Sequence, residues 1–137
     1  MYRKIFVGIK KNILQPSTFS IIQCDGSFKN GIGKTAVLYG KHARVSYPLC
    51  IESSTEAEWK SVHDALLFGL EHGVTTIGIE NDNLGVINTF LNDIVPKREY
   101  ARYYKWKITK DAEQTEWTGV RWIPRGKNRA DDLFMKH

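Results

Sequence analysis

The chain has 137 residues, 42% of them hydrophobic, with six Phe, six Tyr and four Trp, which is enough for one domain with a sizeable core. That composition excludes an intrinsically disordered or collagen-like chain. Twenty Lys and Arg against fifteen Asp and Glu leave a formal charge of +5, which suits a polyanionic partner without naming one.

From the N-terminus, Ile5, Val7 and Ile9 alternate, so residues 1–18 read as an extension with an extra edge strand. Arg3, Lys4, Lys10 and Lys11 flank an apolar stretch that is short and has no small-residue cleavage site, so no signal peptide is read. No segment approaches the ~18 apolar residues of a membrane span. Cys24 and Cys50 cannot form a disulfide framework or a four-ligand zinc site. They read as two buried thiols in a reducing, cytoplasmic compartment.

Phe19–Cys24 is β-rich and ends at Asp25-Gly26-Ser27. Thr35–Tyr39 and Ala43–Leu49 follow it as an antiparallel meander, with Gly40-Lys41 as a tight connection. At Thr55 the period changes. Ala57, Trp59, Val62, Ala65, Leu66 and Leu70 recur at helical spacing up to His72, and Gly73 stands where a C-terminal glycine cap belongs. Val74–Glu80 reads as a strand, Leu84–Leu91 as a short helix and Glu99–Gln114 as a longer one with Ala101, Tyr104, Ile108 and Ala112 on one stripe. Trp117–Ile123 alternates as the last strand. A helix between two strands implies a right-handed crossover, hence an α/β fold: a mixed five-stranded sheet, three antiparallel strands then parallel additions, flanked by helices.

Carboxylates fall at telling places in that order. Asp25 ends the first meander strand, before a glycine that lets another molecule approach the backbone. Asp82 ends the strand after the long helix, so parallel pairing of the two strands brings both acids to one sheet edge, where α/β sheets bind ligands. Paired carboxylates repel unless a cation lies between them, and oxygen-only ligands favour Mg²⁺ or Mn²⁺. Glu58 shares the helical arc of Val62, Ala65, Leu66 and Gly69, facing the sheet, whereas Glu56 projects with Lys60, His63 and Asp64 and suits capping. Glu58 is therefore the third ligand candidate; its competing role is a capping-box partner of Thr55. Asn81-Asp82-Asn83 also suits a helix N-cap. Beyond the last strand, Asn128-Arg129-Ala130-Asp131-Asp132-Leu133 adds two more acids.

Three other patterns carry less. Gly31-Ile32-Gly33-Lys34-Thr35 ends like a P-loop, but Phe28 replaces the first glycine and a strand follows. His42, His63 and His72 lack metal-ligand spacing, and Asp82-Asn83-Leu84-Gly85 lacks the acids of a calcium loop.

Asp25-Gly26-Ser27, Ala57-Glu58, Asp82, and Asn128 followed by Ala130-Asp131-Asp132-Leu133 resemble ribonuclease H of type 1 over roughly residues 19–134 of what reads as a single domain, 1–137. The resemblance implies metal-binding, catalytic carboxylates at Asp25, Glu58, Asp82 and Asp131. Two Mg²⁺ (or Mn²⁺) ions would serve hydrolysis of the RNA strand of RNA/DNA hybrids, leaving 5′-phosphate and 3′-hydroxyl. The family spaces three residues between the Asn and the last Asp. Here Asn128 and Asp131 leave two, so Asp132 is the alternative ligand. The loop Pro124–Lys127 has no histidine, and Arg125 stands in its place. By the same resemblance, Asn30, Ser54 and Thr55 would meet sugar edges. The basic run Lys97, Arg98, Arg102, Lys105, Lys107 and Lys110, with Tyr100, Tyr103, Tyr104 and Trp106 interleaved, would hold phosphates. The expected state is a monomer with neither membrane contact nor small-molecule cofactor. Competing readings keep the fold but act on DNA or junctions, or bind hybrid or RNA with weakened turnover.

Overall fold

Why the acids can meet follows from how the strands pair and part. The computed structural model describes residues 2–7 and 16–136. Its elements run β1 (Arg3–Val7), β2 (Ser20–Lys29), β3 (Ile32–Tyr39), β4 (His42–Leu49), α1 (Ser54–Glu71), β5 (Thr76–Asn81), α2 (Leu84–Leu91), α3 (Glu99–Ala112) and β6 (Trp117–Trp122). Two 3-10 segments follow, Arg125–Lys127 and Arg129–Lys136. The sheet order is β1-β6-β5-β2-β3-β4. β2, β3 and β4 form the antiparallel meander, β5 joins β2 in parallel and β6 joins β5 in parallel. These are the five strands expected, and β1 adds a sixth at the edge, antiparallel to β6. Ile9, the third member of the N-terminal alternation, lies outside the described residues.

α1 lays its apolar arc on the sheet. Trp59, Val62, Ala65 and Leu66 pack on Ile22, Cys24, Ile77 and Ile79, with Ile87 and Phe90 of α2 and Ala101, Ile108 and Ala112 of α3 completing the core. Gly69 permits this closeness, since a Cβ there would lie 2.7 Å from a methyl of Ile77. The helix ends through Gly73, whose φ of 74° is the left-handed conformation a glycine cap supplies. On the opposite face Tyr2, Phe19 and Trp117 form an aromatic cluster, with Tyr2 edge-on to Phe19 at 5.0 Å between centroids. Among the described residues no helix is long and apolar enough to cross a membrane.

Three local expectations need correction. Cys24 is buried, but Cys50 is exposed, because it follows the edge strand β4 rather than lying within it. His63 does not share a solvated face with Glu56. It is buried between α1 and α3, its Nε2 2.7 Å from Asp111 Oδ2. And β2 does not end at Asp25 but continues to Lys29. What ends is its pairing with β5: Gln23 opposite Glu80 is the last pair, while pairing with β3 carries on to Lys29. Beyond Gln23 the two strands part, and a cleft opens between Asp25 and Asp82.

Candidate metal centre

Asp25 and Glu58 are 6% and 7% exposed, values rare for carboxylates without a partner. Asp25 is set by β2, and Glu58 by the first turns of α1. They meet because Gly26 lets the strand touch the helix: a Cβ at Gly26 would lie 2.3 Å from the Ala57 carbonyl carbon. The glycine after Asp25 thus admits this protein's own helix, not a second molecule. Its amide donates to Asp25 Oδ1 at 3.0 Å and also to Glu58 Oε1. Asp82 follows β5, and a carboxylate oxygen from each of Asp25, Glu58 and Asp82 lies within 4.8 Å of the others.

The capping alternative for Glu58 fails on geometry. Ser53 caps α1, accepting from the Glu56 amide at 3.1 Å, and Glu56 reaches back to the Glu52 amide at 3.0 Å. Asn83, not Asp82, caps α2, accepting from the Val86 amide at 3.0 Å. Both acids are left facing the cleft.

Two buried asparagines fix the floor. Asn81 and Asn128 donate to the same Cys24 carbonyl, at 3.1 and 2.9 Å, tying β5 and the C-terminal segment to β2 one residue before Asp25. Asn128 Oδ1 also accepts from the Ala130 amide at 3.1 Å, turning the chain so that Asp131 lines the cleft. Asp132 turns away: its carboxylate is 67% exposed and lies 3.9 Å from Arg129. Arg125, with an 80% exposed side chain, stands at the rim 3.9 Å from Asp131.

Charge has accumulated here at a cost. Burial holds the Asp25 carboxyl well above the usual carboxylate range, and the nearby Glu58, Asp131 and Asp82 raise it further. Burial also raises Glu58, despite its bond from Gly26, and burial with the Asp131 charge raises Asp82. Convergent carboxylates in a partly buried site, with Asp131 beside them, are the donor set of a hard divalent cation such as Mg²⁺ or Mn²⁺. The surrounding cleft, about 600 Å³, is also lined by Ser27, Phe28, Lys29, Ser54, Asn83, Phe134 and Met135.

The sequence matches the family described as reverse transcriptase-like over residues 23–137. The chain belongs to that family. Its fold is that of ribonuclease H type 1. The RNase H1 of the halophilic archaeon Halobacterium salinarum aligns with a TM-score of 0.76 at 16% identity, over 83% of this chain and 92% of that one. The N-terminal RNase H domain of a Mycobacterium tuberculosis protein gives 0.73 at 18% identity, over 83% and 94%. LC11-RNase H1, from compost and solved in complex with an RNA/DNA hybrid, gives 0.74 at 20% identity, over 83% and 92%. No curated protein matches the sequence. The family is thus reverse transcriptase-like and the fold that of ribonuclease H type 1.

Within this ribonuclease H-like protein, other expected contacts fall differently. Ser54 lines the cleft, Thr55 is exposed in the first turn of α1, and Asn30 is exposed at the β2–β3 turn with φ 53°. Lys105 and Lys107, expected at phosphates, are engaged inside the protein. Lys105 Nζ donates to the Thr89 and Ile94 carbonyls at 3.0 and 2.6 Å, next to the turn in which the Ile94 amide donates to Thr89 at 3.0 Å. Lys107 pairs with Asp111 at 3.3 Å. Arg102 likewise donates to the Pro96 and Lys97 carbonyls. Lys97, Arg98 and Lys110 remain exposed, as do Tyr103 and Trp106. Sequence reading missed Phe134 and Met135, because only the path of the last 3-10 segment brings them to the cleft.

Proposed function

We propose that the chain is a divalent-cation-dependent endonuclease that hydrolyses the RNA strand of RNA/DNA hybrids. The reading is carried by the convergence of Asp25, Glu58 and Asp82 within 4.8 Å on this fold, and the likeness to an RNase H1 solved with a hybrid supports the choice of substrate. In this reading Asp25, Glu58, Asp82 and Asp131 are the catalytic carboxylates and hold two Mg²⁺ ions, with Mn²⁺ an effective substitute. Such ions activate water and neutralise charge at phosphorus and the leaving 3′-oxygen, which leaves 5′-phosphate and 3′-hydroxyl ends.

The chain's own groups orient the substrate. Arg125 at the rim meets a backbone phosphate as a charged donor. Ser54 in the cleft, with the exposed Asn30 and Thr55, meets sugar hydroxyls, which distinguish the RNA strand. Exposed Lys97, Arg98 and Lys110 supply screened phosphate contacts, so affinity falls as salt rises. The protein acts as a monomer and needs no organic cofactor.

The test is cleavage of labelled RNA/DNA hybrid, duplex RNA, duplex DNA and a four-way junction with Mg²⁺ or Mn²⁺, beside Asp25→Asn. Cutting confined to hybrid and lost in the variant supports the proposal. Cutting of duplex DNA or junction replaces the substrate, and metal-independent binding without cleavage replaces the enzyme with a binding module.

A further inference from the structure

Asp131 reaches the cleft on a segment that is itself neither strand nor α-helix, in the second of two 3-10 turns, Arg125–Lys127 and Arg129–Lys136. A single side chain on β2 ties that backbone down on both sides of Asn128. Gln23 Nε2 donates to the Lys127 carbonyl at 3.2 Å, and Gln23 Oε1 accepts from the Arg129 amide at 2.9 Å. The same Nε2 donates its other hydrogen to Glu80 Oε1 at 3.0 Å.

A primary amide has two hydrogens on nitrogen and an oxygen that only accepts. With Glu80 and Lys127 both offering oxygen, only one sense of the Gln23 amide satisfies all three partners. The flipped amide would set oxygen against two acceptors and its NH₂ against the Arg129 N–H. Glu80 therefore selects the sense in which Gln23 receives Arg129. Glu80 is held in turn: it is 4% exposed, and its other oxygen accepts from the Tyr2 hydroxyl at 2.7 Å and from Arg121. The Arg121 guanidinium lies 4.7 Å from the centre of the Tyr2 ring.

We infer that Gln23 is a positioning residue for the Asp131 segment, and that Glu80, clamped by Tyr2 and Arg121, sets the direction in which Gln23 grips it. The inference rests on the role proposed above for Asp131. Gln23 acts through Lys127, Asn128 and Arg129, so its loss slows the chemical step without weakening hybrid binding.

The test combines amide hydrogen exchange on the metal-free protein with hybrid-cleavage kinetics. Gln23→Met keeps length and bulk but removes every hydrogen bond of the amide. Exchange at Arg129 should quicken about tenfold while Ile22 and Val120 stay protected, since one local tie is lost and not the fold. With hybrid, kcat should fall about tenfold at unchanged KM, and the Mg²⁺ midpoint should rise. Tyr2→Phe, a milder change that spares Gln23, should give a smaller change of the same kind and serves if Gln23→Met does not fold. Unchanged Arg129 exchange in the tested variant overturns the tie. Quicker exchange with kcat unaltered overturns the positioning role. A parent protein that leaves hybrid uncut overturns the proposed function instead, and the exchange result still decides the tie.

Discussion

Gly26 meets the backbone of Ala57 with no room for a methyl group: a Cβ there would lie 2.3 Å from the Ala57 carbonyl carbon and 2.5 Å from the Glu58 nitrogen. Backbone is on both sides of that contact, so no flexible side chain can yield. Gly26→Ala must push β2 off the start of α1 and carry Asp25 away from Glu58. Overpacking costs about 1–3 kcal/mol, and the rigid neighbours put this site at the upper end, about 3 kcal/mol in urea unfolding. Ser27→Ala, one residue on, should stay within about 0.5 kcal/mol. Equal losses from the two would remove the packing explanation.

Asp25→Asn separates the carboxylates' cost from their use. The Asp25 carboxyl is raised in the folded protein, first by burial and then by its acidic neighbours. A raised folded-state value stabilises the protein at low pH, and that contribution is lost as pH climbs above the ordinary value of 3.8. In EDTA at neutral pH the Asn variant should therefore melt higher than the parent. Mg²⁺ should then stabilise the parent, by about 2.7 kcal/mol at a hundred times its dissociation constant, and the variant little. Equal Mg²⁺ shifts in both proteins would place the cation elsewhere.

The sequence legibly carried the alternation of elements, because the hydrophobic period changes at Thr55 and Gly73 ends the helix. Glu58 was legible for the same reason, since helical geometry assigns it the buried arc. Gly26 was not: what approaches it lies across the fold, and a glycine in a strand does not say which neighbour needs the space. Gln23 reads as an ordinary strand residue, because its partners Glu80, Lys127 and Arg129 lie 57, 104 and 106 residues away. Lys105 shows the converse. A basic run resembles a phosphate surface until the carbonyls of Thr89 and Ile94, distant in sequence from it, claim one of its members.

Glu58 and Glu56 sit two residues apart on one helix, about 200° around its axis. Glu58→Gln removes a charge from the cleft and should lower hybrid cleavage at least a hundredfold, with Mg²⁺ binding weakened. Glu56→Gln alters only the capping contact to Glu52 and should change stability by less than about 1 kcal/mol, with cleavage intact. Cleavage rates for the pair decide it, and the reverse order would remove Glu58 from the centre.

Asp111 joins α3 to α1 and gives an acid-sensitive contact outside the cleft lining. Burial alone would raise its carboxyl, but hydrogen bonds from His63 and Lys107 prevail and hold it below its ordinary 3.8. A depressed folded-state value means stability that is present above 3.8 and lost as pH falls through the folded value. Asp111→Asn should therefore be less stable than the parent at pH 6, and the gap should narrow as pH falls below 3.8. Urea midpoints at pH 6 and pH 3 measure it, and a gap equally wide at both would assign the loss to packing.

Asp131 and Asp132 are adjacent in sequence and opposite in environment. In a 3-10 segment successive residues turn by about 120°, so neighbouring side chains cannot share a direction. The Asn128 bonds to Cys24 and Ala130 decide which one faces inward. Asp131 lines the cleft, where its hydrogen bond helps raise Asp25 and its charge helps raise Asp82. Asp132 lies 3.9 Å from Arg129 in solvent, an ion pair of a kind that contributes little. Asp131→Asn should therefore lower kcat on hybrid about tenfold or more and raise the Mg²⁺ midpoint, while Asp132→Asn should leave both within twofold. If Asp132→Asn is the damaging change, the C-terminal segment turns the other way when substrate and metal are bound, and the Asn128 bonds do not set its register.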